Sequence, residues 1–131
     1  MTSISAILLK QKIRNRLIEY FDLSYEEIAR WGTSELICCW EGYVPNGWDE
    51  EFFDAPVFSA REAECIRQFC LTWERTSDLT KTDHFDAEEL RTIPHWVVFM
   101  EEAKKGLALF SERGKFPDDI EISDWSQHNQ L

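Results

Sequence analysis

The chain is poor in glycine and proline, with five and four residues in 131, and its glycines are scattered. No glycine-rich loop is present to cradle a phosphate, which removes the nucleotide-loop classes. Long apolar runs are missing too. The first, Ile4 to Leu9, has no basic residue before it, and Lys10, Lys12, Arg14 and Arg16 follow it. That is too short for a membrane span and lacks the basic lead of a secretory signal, so a cytoplasmic protein is expected. The four cysteines at 38, 39, 65 and 70 have neither a disulfide-framework nor a zinc-module spacing, as suits free thiols in a reducing compartment. Positive charge is scarce: 14 Lys and Arg stand against 25 Asp and Glu, a net charge of −11. Nucleic-acid phosphate and anionic membrane are disfavoured as partners and a cationic partner is favoured.

Aromatic and apolar mass is abundant. Six Trp, nine Phe and 44% hydrophobic residues are too rich for disorder, because such a chain can offset the entropy of ordering. A length of 131 residues suits one domain that buries roughly two thirds of its unfolded surface. Its acidic tail, 115–131, could dock through Ile120, Ile122 and Trp125.

One phrase recurs three times: Leu23-Ser24-Tyr25-Glu26-Glu27-Ile28, Phe58-Ser59-Ala60-Arg61-Glu62-Ala63 and Phe85-Asp86-Ala87-Glu88-Glu89-Leu90. Each reads as a helix start. The Ser or Asp accepts from the third backbone N–H, the Glu reaches back to the cap, and the flanking apolar pair closes as a staple. Helices are expected at 4–22, 24–31, 34–42, 59–77, 86–92 and from Pro94 to Arg113, with a short strand as the alternative at 36–40. Apolar stripes place Leu9, Ile13, Leu17 and Tyr20 inward on the first helix, Ala63, Ile66, Cys70 and Trp73 on the third long one, and Trp96, Met100, Ala103, Leu107 and Phe110 on the last. Trp73 and Trp96 are therefore expected core residues. The fold class is all-α, a compact bundle of four to six helices with one long loop at 43–57.

That loop is the candidate for function. It carries Trp48, Phe52 and Phe53 beside Asp49, Glu50, Glu51 and Asp54, and long irregular segments in compact domains are disproportionately functional. Aromatic anchors rimmed by carboxylates suit recognition of a basic protein: rings supply buried area, charges steer the encounter. The alternative is that the rings fold back onto the bundle and the acids only solvate it. Residues 23–58 hold eight acids and one base, a net of −7, whereas residues 1–22 carry +2.

Catalytic grammar is thin. His84 lies in Asp83-His84-Phe85-Asp86 without a third ligand, and His95 and His128 have no motif. Cys38 and Cys39 are adjacent, so one thiol can be accessible, but no nearby base would generate a thiolate. Cys65 and Cys70 stand roughly 140° apart on a helix and share no site. No cofactor, metal or enzymatic activity is expected. Size and acidity make the chain similar in general type to bacterial immunity proteins and phage-encoded inhibitors, a likeness of composition alone that assigns no residues. It implies a monomeric or homodimeric inhibitor of a basic partner such as a toxin or nuclease. Other readings are a small enzyme using His84 or His95 as a base, and a subunit of a larger assembly with Ile7 and Ile18 as a seam between chains.

Overall fold

Local capping explains where the helices begin. The computed structural model describes residues 6–44, 52–117 and 119–121. They form α1 (Ala6–Phe21), α2 (Tyr25–Trp31), α3 (Thr33–Tyr43), α4 (Ala60–Leu79), α5 (Ala87–Leu90) and α6 (Pro94–Ser111). The protein is all-α: helix accounts for 70% of the described residues and none of them is in a strand. The 36–40 segment is helical. Ser24 and Ser59 each close a complete capping box, with Glu27 and Glu62. The third phrase differs. Asp86 accepts from the Glu88 N–H rather than from that of Glu89, and the Glu89 carboxylate turns instead to the His84 ring.

α3 has no cap of its own, because the residue before it is Gly32. Asp83, almost fifty residues on, supplies it: the carboxylate accepts from the Ser34 N–H at 2.9 Å and from the Thr33 hydroxyl at 3.1 Å. Thr33 and His84 add a reciprocal pair, Thr33 N–H to the His84 carbonyl and His84 N–H to the Thr33 hydroxyl. Gly32 adopts φ +93°, where a Cβ would also stand 2.6 Å from the Phe85 ring. Only glycine fits that crossing.

α6 runs along α4 and against α1, and α2 packs on α3 and α5. Between them lies one aromatic cluster in which Tyr20, Phe21, Trp40, Phe69, Phe99 and Phe110 meet in tilted and edge-to-face pairs. Trp96 is fully buried as expected. Trp73 is only partly buried; its indole N–H donates to the Ile37 carbonyl, which holds the ring at the edge of the core against α3. Phe69 and Phe99, outside the expected stripes, are 2% exposed.

The inward face of α1 departs most from the apolar pattern. Leu9 is 44% exposed, while Gln11 and Arg14 are fully buried. Ile18 lies in the core and Ile7 packs against it, so this chain's own bundle uses both residues of the expected inter-chain seam. The cause is tertiary pairing. Gln11 donates to the carbonyls of Pro117 and Ile120, and Arg14 pairs with Glu62 at 2.7 Å. Arg113 bonds the same carboxylate, and both guanidinium groups lie over the Phe116 ring, at 4.1 and 4.9 Å. Burial disfavours the charge on Arg14, and the bonds to Glu62 oppose that penalty. The segment after α6 therefore docks through the Phe116 ring, 4% exposed, and the Pro117 and Ile120 carbonyls, while the Ile120 residue is 45% exposed; Ile122 and Trp125 lie outside the described residues.

Candidate functional site

Of the residues nominated for binding, Phe52, Phe53 and Asp54 are placed; Trp48, Asp49, Glu50 and Glu51 lie outside the described residues. Phe53 belongs to the core, 3% exposed, with its ring 5.1 Å from Phe58 and 5.0 Å from Phe52. Phe52 is half-buried beneath the Lys10 ammonium, 5.4 Å from its centroid. Asp54 accepts from the same ammonium at 2.8 Å. Arg113 donates to the carbonyls of Pro56 and Val57, which fixes the far end of the segment beside the Glu62 network. Residues 52–58 are thus fastened to the bundle, with the Asp54 carboxylate at its surface.

The remaining acids of residues 23–58 fall on α2 and α3. Glu27 is consumed by its capping box, and Glu26 pairs with Arg91, which also holds Glu88 and lies over the Tyr25 ring. Glu35 and Glu41 are exposed and make no ion pair among the described residues. Trp31 joins them: its indole is 47% exposed and lines a shallow hollow with Glu35 and Cys39, with Cys38 exposed on the same helix. This is an exposed aromatic beside a carboxylate with no ion pair among the described residues, a combination like that expected of the 43–57 loop. The phrase Arg30-Trp31-Gly32 marks a helix end, but which way the indole points depends on how α2 docks on α3 and α5, which no local pattern states.

The histidine rings at 84 and 95 and three of the four thiols are held by their surroundings. The His84 ring meets the Glu89 carboxylate. The His95 imidazole is held below its ordinary value by burial, and by the charges of His84 and Arg75. Burial pushes the thiols of Cys39, Cys65 and Cys70 up, that of Cys65 to about 11, so these three are protonated at neutral pH. Among the described residues no three His, Cys, Asp or Glu side chains converge on a metal-sized site, and no helix is long and apolar enough to cross a membrane. No protein-family model matches the chain, and no curated protein or solved structure matches it significantly.

Proposed function

We propose that this chain is a protein-binding module that neutralises a basic protein partner, in the manner of an inhibitor or immunity protein. The acidic surface of residues 23–58 is the contact face. The observation that carries the reading is Trp31, nearly half exposed beside the unpaired Glu35 in a segment of net charge −7. An indole supplies a large rigid anchor, and carboxylates around it raise the encounter rate with a cationic surface and orient it. Trp48, Asp49, Glu50 and Glu51 belong to the same acidic segment of the sequence, and Asp54 is exposed where that segment rejoins the bundle. Phe52 lies half-buried under Lys10, and Phe53 holds the segment in place from inside.

The test is capture of a partner from the source organism on the immobilised chain, followed by surface plasmon resonance at two salt concentrations. Trp31→Ala is expected to speed dissociation, at a cost of about 2 kcal/mol or more. Glu35→Lys with Glu41→Lys is expected mainly to slow association and to flatten its salt dependence. Kinetics unchanged in those variants and in an Asp49, Glu50 and Glu51 charge reversal, with the fold intact, would overturn the reading.

A further inference from the structure

A groove of about 370 Å³ opens between the second half of α4 and the first turn of α6. Its walls are apolar. Leu71 and Leu79, two turns apart on α4, are 55% and 46% exposed, and Val98 on α6 is 46% exposed, with Pro94 beside it. Single exposed aliphatics are ordinary, but several gathered round one concavity mark a binding surface.

Of the two threonines in the lining, Thr76 has its hydroxyl engaged, as does Thr80 just beyond it. Thr76 donates to the Thr72 carbonyl at 2.8 Å, and Thr80 donates to the Thr76 carbonyl at 2.7 Å while accepting from the Trp96 indole at 3.2 Å. The Thr76 hydroxyl thus has little left to offer a polar ligand. Arg75, midway between Leu71 and Leu79 in the sequence of α4, brings a full positive charge into the lining and makes no ion pair or hydrogen bond among the described residues. It repels a cationic occupant and leaves a carboxylate unmatched by any other group there, within a molecule of net charge −11.

We propose that this groove binds a small apolar carboxylate, an aliphatic or aryl acid whose body lies on Leu71, Leu79 and Val98 and whose anionic head meets Arg75. Size favours a small molecule over a partner helix. The volume falls in the range of small-molecule sites, and the eight steps from Leu71 to Leu79 rise only about 12 Å, the length of a chain of eight to ten carbons. The neutral His95 imidazole at the rim adds no competing charge. The site shares no residue with the acidic face and stands or falls independently of it.

Titration of the isotopically labelled chain with decanoate, followed by amide resonances, tests the proposal. Saturable shifts confined to 71–80 and 94–98 are expected, with decanol and decyltrimethylammonium at least tenfold weaker. Arg75→Gln is expected to weaken decanoate about tenfold, the effect of one charge-assisted hydrogen bond. Val98→Asp, at an exposed position, is expected to abolish binding with the circular dichroism spectrum unchanged. Shifts that do not saturate or map elsewhere, equal binding of decanol, or an indifferent Arg75→Gln variant would overturn it. So would concentration-dependent shifts of the groove resonances without ligand, which would make the groove a seam between two copies.

Discussion

Glu62 closes the capping box of α4 and also accepts from Arg14 and Arg113, all while 2% exposed. Burial pushes its carboxyl up, but the hydrogen bonds of the two guanidinium groups and the Ser59 N–H outweigh this and hold it below its ordinary value near 4.5. A depressed folded value means a contribution that is complete above the unfolded value and is lost as pH falls from there toward the folded one. Glu62→Gln leaves Arg14 buried without its counter-charge, so a loss of about 3–5 kcal/mol is expected at neutral pH. Denaturant midpoints of the variant and the parent are expected to converge in acid, where the parent carboxylate also becomes neutral. A second pair of residues separates true core from core edge. Trp96→Ala is expected to cost about 3–5 kcal/mol, and Trp73→Ala distinctly less because its ring is only partly buried; thermal or urea unfolding of the two variants measures the difference.

At the scale of elements, the helices are legible wherever the signal is local. Ser24 with Glu27 and Ser59 with Glu62 announce α2 and α4, and Pro94 announces α6, because each cap lies within one turn of the helix it starts. The inward face of α1 is legible at Leu17 and Tyr20 but not in its first half, since Gln11 and Arg14 look like surface residues until their partners arrive from Glu62 and the segment after α6. The start of α3 is hidden for the same reason: its cap, Asp83, comes from the far side of α4. Asp83→Ala is therefore expected to lower the unfolding midpoint and to raise hydrogen exchange at the Ser34 amide, while Asp83→Asn retains most of the cap. The candidate site was half legible. Charge counting found the acidic stretch, but side-chain direction decided that Phe53 turns into the core and Trp31 turns out of it. Gly106 makes a related point about contact between elements: a Cβ there would lie 2.9 Å from the buried Phe21 ring, so α1 and α6 approach more closely than any larger residue allows.

Across the whole molecule charge is polarised. Residues 23–58 carry −7, whereas Lys12 and Arg16 of α1 gather with Lys115 around Glu19 in a polar hollow. On the proposed reading, the carboxylates of 23–58 would draw a basic partner and the Lys12, Arg16 and Lys115 cluster would repel it. The buried network around Glu62 has a different consequence, one of timing. Its bonds join residues 48 and 100 positions apart, so the chain must close two very long loops before the network returns any stabilisation. The locally capped helices carry no such delay, and a buried charge cluster stabilises only once all its partners are paired, so the network is expected to form on the native side of the folding barrier. Glu62→Gln is accordingly expected to accelerate unfolding far more than it slows folding, with nearly all of the change on the unfolding arm of a stopped-flow chevron plot. On that expectation the Arg14–Glu62–Arg113 triad is a latch whose loss shortens how long each molecule stays closed.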